Sequence, residues 1–159
     1  MPNPVIIQWN CHSLINDASK ILEINHYINT FSPSIMLLSE THLKNNLFSP
    51  SIPNYNFHSF AHKSKSGGLA FLIHNSLPIK FYNSLQYQSS TSPSAIIIIE
   101  TSLPTTGPIL IGNIYRHPTT NSINNKAWNC ICKVIRKAIQ YAQPIIISGD
   151  FNARHTDWG

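Results

Sequence analysis

The sequence predicts an α/β fold in which packed β-sheets are covered by helices, and two patterns support this. Two amphipathic segments, at about 18–31 and 123–142, have helical periodicity and lie between apolar runs of strand length. The region between them contains strand-like runs separated by short polar turns, which is typical of antiparallel strands. The element order is therefore β-α-β, a run of antiparallel strands, and a second β-α-β unit.

The first β-α-β unit places two polar residues at neighbouring strand ends. An apolar strand over 5–9 is followed by Asn10. Isoleucines at three- and four-residue spacing predict a helix over 18–31. The apolar run 35–38 is the second strand, and Glu40 follows it. A β-α-β connection favours a parallel pair, so we expect Asn10 and Glu40 to lie side by side.

The middle of the chain is expected to be an antiparallel region. Strands are predicted over 55–60, 69–74, 79–82, 95–99 and 109–115. The segment 79–82 is expected to pair with 69–74 as a hairpin. The turn sequence LPTTGP joins the last two strands. Ser89 to Ser94 is interpreted as a solvated connector.

The segment PIIISGDFNARHTDWG, at 144–159, contains a dense group of polar residues after a buried strand over 145–148. Gly149 is expected to let the backbone turn sharply where this strand ends. In an extended segment, Asp150 and Asn152 would project to the same side. Taken alone, Gly-Asp-x-Asn is more simply explained as a turn. Polar partners at other strand ends favour a functional site, because α/β sheets place sites at the carboxyl ends of their strands.

Composition limits the class of protein. The chain has 159 residues, of which 42% are hydrophobic, so we expect one globular domain. No apolar run approaches membrane-spanning length, and the amino terminus does not resemble a secretory signal. We therefore expect a nuclear or cytoplasmic protein that is neither secreted nor membrane-bound. Its formal net charge of +5 mildly favours a polyanionic partner such as nucleic acid.

The cysteines and histidines show no metal-binding pattern in the sequence. Cys11, Cys130 and Cys132 have neither a disulfide framework nor a zinc-ligand spacing, so we interpret them as reduced thiols. None of the eight histidines forms a pair on a predicted helix at the spacing that is typical of zinc sites. Most of them are expected in loops or on the surface.

Five polar residues at or just beyond strand ends form the candidate site: Asn10, Glu40, Tyr115, Asp150 and Asn152. One carboxylate can offer a hard oxygen ligand to Mg²⁺, and a second can orient or deprotonate an attacking water. Asparagine and tyrosine side chains supply neutral hydrogen-bond donors to a negatively charged phosphoryl group. The set therefore indicates phosphoryl chemistry. Glu100 lies within an apolar strand and is interpreted as structural or surface.

The same residues lie in five motifs that occur in order along the chain: WN at 9–10, SETHL at 39–43, SGGLAFLIH at 66–74, NIYRHP at 113–118 and SGDFNARHTDWG at 148–159. In these motifs the chain resembles the endonuclease/exonuclease/phosphatase superfamily, which includes DNase I and the apurinic/apyrimidinic endonucleases. Within this superfamily, the amino-acid sequences of the motifs are most similar to those of the endonuclease domain of jockey-like non-LTR retrotransposons.

The resemblance implies one domain over 1–159 with a DNase I-like four-layer α/β sandwich. It also implies Mg²⁺-dependent hydrolysis of DNA phosphodiesters, with Mn²⁺ able to substitute. Glu40 and Asn10 would bind the metal, and Tyr115 would donate to the phosphate. Asp150 would align or activate the water, and Asn152 would hold a phosphate oxygen. The implied partners are DNA and a reverse transcriptase domain of the same element.

Four basic residues are implied as phosphate contacts beside the site: Lys63, Lys65, Arg116 and Arg154. For the two lysines, the alternative of a solvated loop charge has equal weight. The two arginines adjoin motif residues, which favours a role at the site.

The chain departs from the family pattern in two places. His12 stands where repair-type relatives have an acid, and none of the 159 residues matches the late Ser-Asp-His motif with the catalytic histidine. We therefore expect a domain truncated on its carboxyl-terminal side, with an exposed sheet edge and little activity by itself. Two alternatives remain open. One is a non-catalytic remnant that binds nucleic acid weakly, and the other is a phosphatase of the same superfamily.

Overall fold

The fold is an α/β sandwich, described here from a computed structural model over residues 4–15, 18–45, 49–62, 66–119 and 121–153. These residues form eight strands and two helices. In chain order they are β1 (Ile6–Asn10), α1 (Ala18–Phe31), β2 (Ile35–Ser39), β3 (Tyr55–Phe60), β4 (Leu69–His74), β5 (Ile79–Gln88), β6 (Ala95–Leu103), β7 (Gly107–Tyr115), α2 (Ser122–Ile139) and β8 (Ile145–Asp150). No helix in these ranges is both long and apolar enough to cross a membrane.

The strands form two four-stranded mixed sheets. The first sheet has the order β1-β2-β4-β3, and the second has the order β5-β6-β7-β8. Each sheet contains one parallel pair, β1 with β2 and β7 with β8. The neighbouring strands of each parallel pair end together, so Asn10 is opposite Ser39 and Asp150 is opposite Tyr115. The predicted parallel opening unit is confirmed.

The two sheets pack face to face, and a helix covers the outer face of each. The buried core between the sheets includes Leu37 and Phe71 from the first sheet and Ile97 and Ile111 from the second. Alternate residues of the same strands point outwards, as the pleat of a strand requires. On the first sheet they pack under Ile24 of α1, and on the second they form one cluster with residues of α2. The result is four layers, helix, sheet, sheet and helix.

A buried asparagine joins the two sheets near one end. Asn113 of β7 is fully buried, and its side-chain Nδ2 donates to the carbonyl oxygens of Leu38 and Ala70, at 2.9 and 3.0 Å. Both acceptors belong to the opposite sheet. A buried polar group is destabilising unless it is hydrogen-bonded, so these two bonds favour one fixed alignment of the sheets.

The predicted hairpin of 79–82 with 69–74 is wrong. β4 already has β2 on one side and β3 on the other, so neither of its edges is free to accept another strand. The chain instead crosses to the second sheet, where β5 pairs antiparallel with β6, beginning with Ile79 opposite Thr101. The pairing has a register shift between Phe81 and Gln86.

Gly149 does not end its strand, contrary to the prediction. β8 continues to Asp150, and Gly149 lies inside it, opposite Ile114 of β7. Its φ is 146°, and a Cβ atom there would lie 2.0 Å from the Ile114 carbonyl oxygen. Glycine is therefore required because the two backbones approach too closely for any side chain.

β8 is the last strand of the second sheet among the described residues, and its Ile146 is 40% exposed. β8 is therefore a sheet edge within the described residues, and the expected truncation with an uncovered apolar face stays a prediction. β5 runs to Gln88, well beyond its predicted end at 82, whereas the other element bounds are closer to prediction. The second helix ends at Ile139, and β6 and β7 extend further towards the turn between them.

We expect Gly149→Ala to destabilise the protein by about 3 kcal/mol, because the added methyl group must separate β8 from β7. Gly107→Ala is the matched control, since Gly107 also has positive φ, 70°, but nothing lies within 4 Å of an added Cβ. The control should cost about 1 kcal/mol, the strain of a left-handed alanine. Urea denaturation measures both changes, and equal costs would contradict the assigned close approach.

Candidate active site

The glutamate of the site stands on a loop that a pair of glycines fixes. Glu40 directly follows β2 and has a φ of 53°. The next two residues are hydrogen-bonded to the glycine pair: Thr41 N–H donates to the Gly68 carbonyl at 3.2 Å, and His42 N–H donates to the Gly67 carbonyl at 2.9 Å. A Cβ on Gly68 would lie 2.6 Å from Thr41 Oγ1. The glycine pair of the SGGLAFLIH motif thus allows close packing against the Glu40 loop.

Asn10 connects the two sheets at the site. It is the last residue of β1, and its Nδ2 donates to Asp150 Oδ2 at 2.8 Å. Asp150 is the last residue of β8, which belongs to the other sheet. The predicted convergence of Asn10, Glu40 and Asp150 is therefore present across the sandwich as well as along one sheet.

Tyr115 ends β7 and contributes a buried hydroxyl to the same group. The residue is only 3% exposed, and its hydroxyl interacts with the Glu40 carboxylate closely enough to affect the pKa of both groups. Burial raises the pKa of Tyr115 strongly, and the negative charges of Glu40 and Asp150 raise it further. Tyr115 is therefore protonated at neutral pH, so its hydroxyl can donate to an anionic ligand.

The Glu40 carboxylate is stabilised in its charged form. Burial acts to raise its pKa, but the hydrogen bond with His12 and the interactions with Asn10 and Tyr115 outweigh burial, and the pKa falls below its ordinary value of 4.5. Only 14% of the side chain is exposed. Because the folded-state pKa is depressed, ionised Glu40 stabilises the fold above pH 4.5, and this contribution is lost as the pH falls through the folded-state value.

Asn152 is near the site, but its backbone is not extended as predicted. Its φ is 43°, and its N–H donates to Asp150 Oδ1 at 3.0 Å, which makes a turn closed by the aspartate side chain. Its Nδ2 donates to the Arg116 carbonyl at 2.7 Å. Asp150 thus accepts hydrogen bonds on both oxygens, from Asn10 and from the Asn152 backbone. The turn interpretation of this segment is therefore confirmed, and its role in a functional site stays a prediction.

Two histidines next to Glu40 were not assigned to the site from the sequence. His12 Nδ1 lies 3.1 Å from Glu40 Oε2, and His42 Nε2 lies 3.7 Å from the same oxygen. A search for histidines at helical spacing misses them, because they lie on two separate loops. Their positions in the sequence could have identified them, because His12 follows Asn10 by two residues and His42 follows Glu40 by two residues, at neighbouring strand ends.

Cys11, which directly follows Asn10 in the sequence, has no role in the site chemistry. Cys11 is fully buried, and its Sγ donates to the Ser39 carbonyl at 3.2 Å. Burial raises the pKa of this thiol to about 12. It is therefore neutral at physiological pH and is not a thiolate ligand. Cys130 and Cys132 are also free thiols, as predicted.

The predicted DNA-contacting residues are only partly described. Lys63, Lys65 and Arg154 lie outside the described residues. Arg116 directly follows Tyr115, and its guanidinium carbon lies 5.1 Å from the centre of the Trp128 ring on α2. This cation–π contact holds the arginine beside the site. Glu100 lies apart from it and accepts hydrogen bonds from Tyr82 and Gln143, so its predicted structural role agrees with the contacts.

The model of the endonuclease/exonuclease/phosphatase family matches residues 7–159. The chain belongs to this family. The predicted membership and the predicted DNase I-like α/β fold are both confirmed. The family consists of phosphodiester hydrolases, nucleases and phosphatases, which generally depend on a divalent metal.

Relatives within the endonuclease/exonuclease/phosphatase family include retrotransposon proteins. The chain is 30% identical to the probable RNA-directed DNA polymerase from transposon X-element of Drosophila melanogaster, over 97% of this chain and 16% of that protein. Its fold is similar to the endonuclease domain of TRAS1, a telomere-specific non-LTR retrotransposon, with a TM-score of 0.70 at 17% identity. That superposition covers 99% of this chain and 64% of the TRAS1 domain.

A nuclease-related phosphatase has the same fold. The 3′ phosphatase NExo from Neisseria, solved with a product DNA hairpin, superposes with a TM-score of 0.66 at 16% identity, over 92% of this chain and 57% of NExo. The chain spans less than two thirds of the length of each of these three proteins. The likeness to the two solved structures concerns the fold.

We expect Tyr115→Phe to raise the pKa of Glu40, because the Tyr115 hydroxyl lowers that pKa and the substitution removes the hydroxyl while keeping the ring in the core. An NMR titration of the Glu40 side-chain carboxyl carbon measures this pKa directly. Tyr82→Phe is the matched control, since the Tyr82 hydroxyl donates to Glu100 at 2.8 Å. It should leave Glu40 unchanged. The same Glu40 pKa in all three proteins would contradict the Tyr115 contact.

Proposed function

We propose that this site hydrolyses phosphodiester bonds in DNA with Mg²⁺, as the nicking endonuclease of a non-LTR retrotransposon. The observation that supports the proposal most strongly is the meeting of two carboxylates from different sheets. Glu40 and Asp150 converge there with a protonated tyrosine and an asparagine amide. One carboxylate for a cation, one for a water and neutral donors for a phosphate are the groups that such hydrolysis requires.

Glu40 and Asn10 would hold the metal. Glu40 is an ionised carboxylate, and Asn10 offers an amide oxygen, so both present the hard oxygen ligands that Mg²⁺ prefers. When bound, Mg²⁺ would polarise the phosphate and neutralise charge that develops on it. Mn²⁺ accepts the same ligands and would substitute.

Asp150 would orient the attacking water and take its proton. Its two oxygens accept hydrogen bonds from Asn10 and from the Asn152 backbone, so the carboxylate is held in one orientation. A fixed base favours a single line of attack on the phosphorus, which is the main way that geometry accelerates a displacement. We therefore propose that Asn10 acts with both carboxylates: it would hold the metal together with Glu40, and it donates a hydrogen bond to Asp150.

Tyr115 and Asn152 would bind the phosphate oxygens. The raised pKa of Tyr115 keeps its hydroxyl protonated, so it can donate as negative charge develops. Asn152 uses one N–H of its side-chain amide for the Arg116 carbonyl and has a second for a phosphate oxygen. Arg116 would contact a neighbouring phosphate of the strand, and Lys63, Lys65 and Arg154 are proposed for the same role.

DNA is the proposed substrate on three grounds: the net charge of +5, the similarity to retrotransposon proteins, and the likeness in fold to an endonuclease domain. A reverse transcriptase domain of the same element is the proposed partner, and it would use the 3′-hydroxyl at the nick as a primer. The proposed location is nuclear or cytoplasmic. The domain is proposed to occupy all of 1–159. No Ser-Asp-His sequence occurs in the chain, so we propose slow turnover by these residues alone.

We expect the chain, in molar excess over a supercoiled plasmid, to nick it slowly in Mg²⁺ and to stop when the metal is chelated. Glu40→Gln and Asp150→Asn keep the side-chain volumes but remove the charges, and each should lower the nicking rate by about 100-fold or more. Glu100→Gln is the matched control, since this carboxylate lies outside the site and should leave the rate unchanged.

Three other outcomes would contradict the proposal. Equal nicking by all four proteins would exclude Glu40 and Asp150 from catalysis. Salt-sensitive DNA binding without any Mg²⁺-dependent nicking would support the non-catalytic remnant. Release of phosphate from a 3′-phosphorylated oligonucleotide, with the plasmid left supercoiled, would support a phosphatase.

A further inference from the structure

The cluster of His12, Glu40 and His42 has the donor atoms of a transition-metal site. One oxygen of Glu40 and one nitrogen of each histidine all lie within 4.8 Å of one another. The two nitrogens are 3.1 and 3.7 Å from Glu40 Oε2. Ligands at 2.0–2.2 Å from a tetrahedral zinc ion are about 3.4 Å apart, so a small inward movement would bring the three atoms around one ion.

One of these donors has no hydrogen-bond partner. His42 Nε2 is inaccessible to solvent and has no hydrogen bond. A buried ring nitrogen without a partner is costly, and a bound cation would remove that cost. His12, in contrast, has an 83% exposed side chain, so the cluster is open to solvent on one side. A metal ion can enter from that side and keep a water as its fourth ligand.

The backbone at all three positions has an unusual conformation. The φ angles of His12, Glu40 and His42 are 46°, 53° and 55°, in the left-handed region that side chains other than those of glycine rarely adopt. Such conformations recur at ligand-binding sites, where surrounding contacts maintain them. Here the contacts include the hydrogen bond from Ser13 N–H to the Glu40 carbonyl, at 2.7 Å.

The donor set distinguishes this site from the magnesium site. Imidazole nitrogens suit Zn²⁺, Co²⁺ and related ions, whereas Mg²⁺ prefers oxygen ligands and water. We propose that His12, Glu40 and His42 bind Zn²⁺, and that this site shares Glu40 with the proposed magnesium site. The shared use of Glu40 by the two metals rests on the proposed function, whereas zinc binding by these three residues does not depend on it. A zinc ion at this position would use the carboxylate that Mg²⁺ needs, so Zn²⁺ would inhibit nicking.

The test is a titration of the tag-free 159-residue chain with Co²⁺, whose visible absorption reports nitrogen coordination, followed by displacement with Zn²⁺. We expect saturation at one ion per chain. His12→Ala and His42→Ala should each weaken binding by about tenfold or more. His26→Ala is the matched control, because His26 is exposed on α1 and outside the cluster, and it should bind as the unaltered chain does.

The outcomes separate this inference from the proposed function. His12→Ala changes an exposed side chain, so loss of Co²⁺ binding in this variant reflects a lost ligand, and circular dichroism verifies its fold. Co²⁺ binding that is absent, or equal in all four proteins, would overturn the zinc site and leave Mg²⁺-dependent nicking untouched. Zinc binding with no effect on nicking would overturn the shared use of Glu40. Nicking that fails while Co²⁺ still binds would instead count against the proposed function.

Discussion

The site depends on the hydrogen bond between Asn10 and Asp150, because this contact joins strands at the margins of two different sheets. β1 begins the order of the first sheet, β8 ends that of the second, and their last residues meet at 2.8 Å. Asn10 also interacts with Glu40 and helps to lower the pKa of that carboxylate. The amide thus donates to the Asp150 carboxylate, and together with the Tyr115 hydroxyl it favours the charged form of Glu40. The residues proposed for hydrolysis therefore also stabilise the arrangement in which the two carboxylates meet.

The rest of the sandwich keeps those strand ends aligned. The two bonds from Asn113 cross between the sheets only two residues before Tyr115, so sliding of one sheet over the other would leave buried polar groups unpaired. Gly149 brings β8 close to β7 immediately before Asp150, and Gly68 lets the Glu40 loop pack against its neighbour. Polar contacts and close backbone approaches thus concentrate at the end of the fold where the chemistry is proposed.

Local sequence patterns were sufficient to predict the helix α1, most strand positions and the polar strand ends, because a buried strand must end where polar residues begin. The pairing of β5 could not be predicted in this way, since it depends on whether the edges of β4 are already occupied. The two histidines beside Glu40 were missed for a similar reason: their proximity arises from two loops that are distant in sequence. The roles of Asn113 and Gly149 depend on atoms of neighbouring strands, which no spacing along the chain reveals.

Residues from both sheets are proposed to surround one cation-binding position. This arrangement can be tested by adding substoichiometric Mn²⁺ to the isotopically labelled chain and recording which backbone amide signals broaden, since paramagnetic broadening falls steeply with distance. We expect the amide signals of Asn10, Glu40, Tyr115 and Asp150 to broaden first, while those at the middle of α1 stay sharp. Broadening confined to one sheet, or spread over unrelated surface residues, would contradict it.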